Sequence, residues 1–383
     1  MKKYLILLLI IAFTVSMLFI GMGCKEEAPP TEEVVEEEEA PPTEETEAPK
    51  VEKLVISYSA PFMSHEIYQN MVAAARRGYE EIEEKTGIVI DFSVADANNE
   101  IDKQVADVET FIAKKSDVIW ISVIDPEVVK QLVKNCHDAG IPVMTGSAMA
   151  GNEDAYFTLD DYLWGKQVGL RVGKYVKENW NPKGIIAKSL IVGFPSLPTC
   201  IDRVDGFTDG MNETGCQWEK TVEVDGKAVM SEALPICTDA LTANPDVNLI
   251  YGINNDSAFG GWEAYKSLGR DEEKLLVCAV GFEGERAIKA LLEGGPYKCD
   301  GTAFFNYMGR ICAYSTVALG LGLIGPDEND EPYMVYGPVS AIDINNFYDF
   351  YTEEDGKWVE NWDVIDKLAV EQGLSKEILE LKY

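Results

Sequence analysis

Residues 249–269 read LIYGINNDSAFGGWEAYKSLG. An apolar run turns abruptly polar at Asn254, Asn255 and Asp256, then continues with helical spacing through Trp262 and Leu268. Asp and Asn are favoured helix caps, and one such residue is expected before any helix. Three in a row raise a second reading. In open parallel sheets the carboxyl ends of the strands form a crevice where ligands bind. The choice between cap and contact depends on whether the rest of the chain builds such a sheet.

It repeats the same unit. The apolar strand LVISYS (54–59) leads into a helical stretch, IYQNMVAAARRGYEEIEEKTG, and then IVIDFSV (88–94). A helix over roughly 100–115 leads to DVIWISVI (117–124), and the next helix opens with Asp125-Pro126-Glu127, a cap followed by proline at the first helical position. That helix closes through AGIPV into the strand IPVMTGS. The pattern restarts with a helix from Tyr162 to about Asn179, the strand IIAKSLIVGF, a helix across Arg203 to Asn212, the strand WEKTVEV and a helix to Asn244. The opening stretch follows, then LLVCAVGF (275–282), a helix to Leu292 and a short strand TAFF. Near-continuous apolar strands alternating with helices predict an α/β fold of two doubly wound parallel-sheet lobes. The last forty residues, with YDFYTEEDGKW, read as a peripheral helical extension.

The N-terminus has a different character. Lys2 and Lys3 precede an apolar run over 4–20, and Gly21-Met22-Gly23 lead to Cys24. A charged start, an apolar middle and small residues at a cleavage point describe a secretory signal. The segment resembles a bacterial lipoprotein signal peptide (1–23), which implies that Cys24 becomes the lipid-bearing first residue; Gly21 departs from the usual Leu at that position. The alternative is a retained anchor helix. Both place the remainder outside the cytoplasm, at a membrane surface. Residues 25–53 carry 12 Glu and 3 Lys, repeat the block EEAPPTEE at 26–33 and 38–45, and contain no aromatic residue. Such a segment cannot bury enough surface to fold, and 24–53 reads as an extended acidic tether.

Other functions are excluded on composition and spacing. A formal charge of −33 argues against a nucleic-acid partner. Two histidines, His65 and His137, and no G-x-S-x-G leave little basis for a hydrolase triad. The G-x-G-x-x-G at Gly320, Gly322 and Gly325 ends a helical pattern and runs into Pro326, the reverse of a nucleotide loop. The cysteines beyond Cys24 (136, 200, 216, 237, 278, 299 and 312) show no C-x-x-C spacing, so no metal or cofactor is expected. Their odd number leaves at least one thiol unpaired, and bridges would fall within the 200–237 or 299–312 regions.

Polar and aromatic residues collect at the predicted strand ends: His65 and Tyr68 after the first, Asp96, Asn98 and Asn99 after the second, Ser122 and Asp125 after the third, Ser147 after the fourth. The second half supplies Arg203, Asn255 with Asp256, Phe282 with Glu283, and Asn306. Carboxylates, a guanidinium, amides and aromatic faces are what a neutral ligand with many hydroxyls requires. Trp120, Trp164 and Trp262 read as packing.

Here the chain resembles a family, the type I periplasmic sugar-binding proteins of ABC transporters, such as those for ribose and xylose. The resemblance covers about residues 54–345. It is carried by R-V-D-G-F at 203–207, T-A-N-P-D-V at 242–247 followed by Asn255-Asp256, V-G-F-E-G at 280–284 and A-G-I-P-V at 139–143. It implies two lobes joined by three hinge crossovers, an N-terminal lobe of 54–160 plus 307–338 and a C-terminal lobe of 161–306 plus 339–383. It also implies that Arg203, Asn255, Glu283 (where Asp is usual) and Tyr68 contact ligand, with His65, Ser122, Ser147 and Asp160 at further contact positions. Asp256 is then the helix cap or a support for Asn255. Ser147-Ala148 stand where ribose-type members carry Asp-Arg, which argues against ribose itself.

The expected function is therefore a monomeric lipoprotein, not an enzyme, that delivers a small sugar or polyol to an ABC permease. A sensor subunit presenting an autoinducer-type signal and a nucleoside-binding lipoprotein share the cleft and remain open; the latter would stack a purine against Tyr68 and Phe282.

Overall fold

The computed structural model describes residues 51–383, apart from positions 65, 283, 375, 382 and 383. The signal, Cys24 and nearly all of the tether lie outside the described residues. The fold begins slightly earlier than expected: Val51 packs on the core, and Glu52 accepts the Val89 N–H at 2.9 Å. No helix among the described residues is long and apolar enough to cross a membrane.

The first lobe is built by β1 (Lys53–Ala60), α1 (Glu66–Thr86), β2 (Val89–Asp96), α2 (Ile101–Ala113), β3 (Val118–Ser122), α3 (Pro126–Asp138), β4 (Val143–Gly146) and β5 (Ala155–Leu159). All five residues of β3 are buried, as a strand covered on both faces must be. Asp125 caps α3 by accepting the N–H groups of Glu127 and Val128, with Pro126 inside the first turn.

The second lobe follows with α4 (Asp161–Tyr175), β6 (Ala187–Gly193), α5 (Pro198–Glu213), β7 (Trp218–Asp225), α6 (Met230–Ala243), β8 (Leu249–Gly252), α7 (Asn255–Ser267), β9 (Leu276–Gly281), α8 (Gly284–Leu292) and β10 (Tyr297–Thr302). The chain then returns through α9 (Phe305–Gly320) and β11 (Tyr333–Gly337) to the first sheet, and crosses back to β12 (Ser340–Ile342). The sheet orders are β11-β5-β4-β3-β1-β2 and β12-β10-β9-β8-β6-β7. Every pair is parallel except β10 with β12. The chain passes between the sheets at residue 160, at 303–304 and at 338–339.

Several expectations are corrected or sharpened. The helix expected across Arg203 to Asn212 forms and starts earlier, at Pro198, so Arg203 sits in its second turn. The strand expected at TAFF is β10, which ends at Thr302, because Phe304 adopts φ +51 and turns the chain into α9. The C-terminal segment is not simply helical. It forms α10 (Phe347–Phe350), a hairpin of β13 (Tyr351–Glu354) and β14 (Lys357–Glu360), α11 (Trp362–Glu371) and α12 (Lys376–Glu380). Its last helices also leave the second lobe, where 339–383 was expected, and lie on α9 and α1 of the first. The reason is a pair of arginines: Arg77 of α1 stacks over Trp362 at 4.0 Å, and Arg310 of α9 binds Asp366. Gly320 ends α9 and Gly322 follows at φ +69, so that glycine cluster is a helix terminus. All seven described cysteines are free thiols, which overturns the expected bridges; Cys278 and Cys299 are register partners on adjacent strands.

Candidate functional site

Arg203 is the best-anchored of the expected residues. Its Nε donates to Asp161 Oδ1 at 2.6 Å, its Nη1 donates to the Ile253 carbonyl at 3.0 Å, and its guanidinium lies 4.5 Å from the Trp164 ring centre. Its backbone carbonyl accepts the Tyr251 hydroxyl at 3.0 Å. The carboxylate in this anchor is Asp161, in the first turn of α4. Burial pushes the Asp161 carboxyl above its ordinary range, and the Arg203 charge pulls it back down. Asp161 is not legible as the partner in sequence because it comes from a different helix. Trp164, expected to be plain packing, is buried and also forms the floor under the guanidinium.

Helix contact sets this geometry. A side-chain carbon on Gly165 of α4 would stand 2.0 Å from the Arg203 carbonyl oxygen, so α4 and α5 touch backbone to backbone at this point.

The opening stretch is resolved in detail. Asn254, not Asp256, is the cap of α7: its side chain accepts the Ser257 N–H at 2.8 Å, while its amide donates to Ala228. Asp256 is exposed and accepts the Met230 N–H at 3.3 Å. Asn255 donates from Nδ2 to Asp300 Oδ2 at 2.6 Å and to the Tyr297 hydroxyl at 2.8 Å. Tyr297 itself donates to the same Asp300 oxygen at 2.5 Å. Asp300 is fully buried, and burial together with this carboxylate holds the Tyr297 phenol well above its usual range. Asn255 Oδ1 lies so close to Gly281 that a side-chain carbon there would stand 2.7 Å away. Arg203, Asn255 and the turn at 281–282 therefore meet at the carboxyl ends of β8 and β9.

The other expected residues divide. Phe282 follows β9 with φ +47, but its ring is buried against Phe347 and Tyr351 and presents no open face. Ser122 is 2% exposed, and its hydroxyl is engaged with the Tyr58 hydroxyl at 2.8 Å. Ser147 is exposed at φ +70 just beyond β4. Asp160 caps α4 by accepting the Leu163 N–H at 2.7 Å. Tyr68 is half-buried with its ring 5.4 Å from Phe62. Asn306 lines a cavity of about 190 Å³ with Asn70, Arg77, Trp358 and Trp362, and its backbone N–H donates to Glu360 at 3.3 Å. His65 and Glu283 lie outside the described residues. Among those described, no group of three or more His, Cys, Asp or Glu side chains is placed to hold a metal ion.

A guanidinium fixed by a carboxylate and a carbonyl, an amide fixed by a buried acid, and an indole alongside form a preorganised polar surface. Such a surface suits hydroxyl groups held by charge-assisted hydrogen bonds. A family profile described as a periplasmic binding protein domain matches residues 56–322. The chain belongs to the periplasmic binding protein family. The ribose import binding protein of Bacillus subtilis is 22% identical over 55% of this chain and 65% of its own length. The chain thus spans just under two thirds of that relative. Among solved structures, an arabinose-binding protein from Geobacillus stearothermophilus matches 79% of this chain and all of its own, with TM-score 0.61 and 19% identity. A solute-binding protein from Actinobacillus succinogenes with bound D-allose matches 78% of this chain and all of its own, with TM-score 0.58 and 19% identity. These likenesses establish the two-lobed fold of type I periplasmic binding proteins.

Proposed function

We propose that this periplasmic binding protein is a lipid-anchored extracytoplasmic lipoprotein that captures a small sugar or sugar-like polyol between its lobes and delivers it to an ABC permease. It binds its ligand and performs no covalent chemistry. The observation that carries the reading is Arg203, fixed on two sides at the carboxyl edge of the second sheet and floored by Trp164. A flexible arginine would lose side-chain entropy on binding; this one is already ordered, and more of its hydrogen-bonding energy is available to the ligand. Relatives named for ribose and arabinose, and a neighbour holding allose, support the sugar class. The buried ring of Phe282 speaks against a purine stacked there.

Native mass spectrometry of the chain from Val51 onward, before and after mild denaturation, tests the proposal. A pentose, hexose or polyol released on denaturation supports it and names the ligand. A nucleoside or an autoinducer-type signal overturns it while leaving the fold intact. If the protein is empty, a thermal-shift screen decides: stabilisation by sugars supports the reading, and stabilisation by nucleosides alone refutes it.

A further inference from the structure

The C-terminal segment spans both lobes at the points where the chain crosses between them. Its first half rests on the second lobe. Phe347 and Tyr351 pack against Phe282, and the Tyr351 hydroxyl lies 3.0 Å from Thr302 Oγ1 at the end of β10. Its second half rests on the first lobe. Trp362 receives Arg77, Asp366 binds both Tyr307 and Arg310 of α9, and Arg310 also reaches Glu81 of α1 at 2.9 Å. The segment is thus a further bridge between the lobes, held by side chains after the three backbone crossovers.

Two of its residues sit on the crossovers themselves. Gln372 holds both backbone groups of Val339: its Oε1 accepts the Val339 N–H at 2.9 Å, and its Nε2 donates to the Val339 carbonyl at 2.6 Å. Val339 lies in the 338–339 crossover and is fully buried. Glu360 accepts the N–H of Tyr307 at 2.7 Å and of Asn306 at 3.3 Å, directly after the 303–304 crossover. Phe304, the residue before α9, offers no side-chain cap, so the tail supplies the acceptor for the helix N-terminus. The Phe304 ring is also packed against Phe350 at 5.2 Å.

Hinges between lobes move through a few residues that absorb changes in φ and ψ. Backbone groups already hydrogen-bonded to a folded strap cannot rotate freely. We propose that the C-terminal segment is a hinge strap, and that Gln372 and Glu360 are positioning residues for ligand binding because they limit how far the lobes separate in the empty protein. This rests on the reading that the two lobes close around a ligand. A closed bias in the empty state raises affinity, since the apparent dissociation constant scales inversely with the population of the binding-competent form.

The test uses the full-length protein without ligand, so it stands whether or not the ligand is a sugar. In Gln372→Ala, the Val339 amide is expected to exchange its hydrogen about tenfold faster. Small-angle X-ray scattering should show a larger radius of gyration, with the far-ultraviolet circular dichroism unchanged. Unchanged exchange at Val339, or faster exchange with an unchanged radius, would overturn the strap. If Gln372→Ala fails to fold, Gln372→Glu serves instead. It keeps the acceptor for the Val339 N–H but loses the donor to its carbonyl, and should expand the empty protein while protecting the amide; a radius equal to wild type overturns the proposal.

Discussion

Asp161 and Arg203 are 42 positions apart and on different helices, yet the carboxylate and Nε meet at 2.6 Å with both side chains more than four-fifths buried. The pair is part of how α4 docks on α5 as well as part of the candidate site. Replacing one member leaves the other charge buried without its partner, which costs more than the pair contributes. Asp161→Asn is expected to lower stability by about 2–4 kcal/mol and to weaken ligand binding at least tenfold. Urea denaturation and calorimetric titration with the ligand identified by mass spectrometry check this. Unchanged affinity in a folded Asp161→Asn protein would remove Arg203 from the binding site.

Asn255 makes a sharper case, because its amide donates to a buried carboxylate as well as to the Tyr297 hydroxyl. Asn255→Asp keeps the shape and places a second acid 2.6 Å from Asp300 Oδ2. Like charges at that distance raise the pKa of the pair, so the variant retains more of its stability at low pH and loses it as pH rises through the raised value. The expected result is a melting-temperature deficit that is largest at pH 7 and shrinks toward pH 4. Asn255→Ala should show a smaller deficit with little dependence on pH. Equal deficits for both variants at pH 7 would mean that the introduced acid meets no repulsion from Asp300.

These two clusters show what the sequence reveals and what it withholds. Alternating apolar strands and helices are legible because burial on both faces dictates composition strand by strand. Asn255 is legible because it follows a strand end, and Arg203 because it opens the R-V-D-G-F group at 203–207. Their partners are not: Asp161, Trp164, Tyr297 and Asp300 lie 39 to 45 positions away and are brought in only by packing. Ser122 and Phe282 were expected at the ligand because they end strands, but their side chains turn into the core, toward Tyr58 and Phe347 respectively. Three polar residues at 254–256 each suit a cap, and only in the folded chain does Asn254 take that role. The tail is least legible of all, since nothing local in Glu360 or Gln372 indicates the crossovers they touch.

Glu360 also carries a pH signature of its own. Burial pushes its carboxyl up to about 7, against the opposing pull of the Tyr307 and Asn306 N–H groups. A carboxyl raised in the folded state binds its proton more tightly there than in the unfolded chain. Its contribution is therefore full below pH 4.5 and is lost as pH rises toward 7. A shift of that size corresponds to about 3 kcal/mol. Glu360→Gln cannot titrate, so the stability difference between variant and wild type should change across pH 4.5–7 and stay level above it. A difference that is flat across that window would place the Glu360 pKa in the ordinary range.

The last prediction concerns the contact that carries Arg203. Gly165 of α4 faces the Arg203 carbonyl, and Gly206 of α5 faces the Tyr162 carbonyl, with an added carbon standing 2.0 Å from the oxygen in each case. Both obstacles are backbone, so no rotamer change relieves them. Gly165→Ala must push the two helices apart, and overpacking of this kind costs about 3 kcal/mol or more. The same shift would draw Arg203 away from Asp161 and Ile253. Gly295 is the control, because an added carbon there meets nothing within 4 Å. Gly295→Ala should leave both stability and binding near wild type. Gly165→Ala should lower the denaturation midpoint and weaken ligand binding together. If its midpoint falls while affinity holds, the helix contact supports the fold alone and Arg203 does not depend on it.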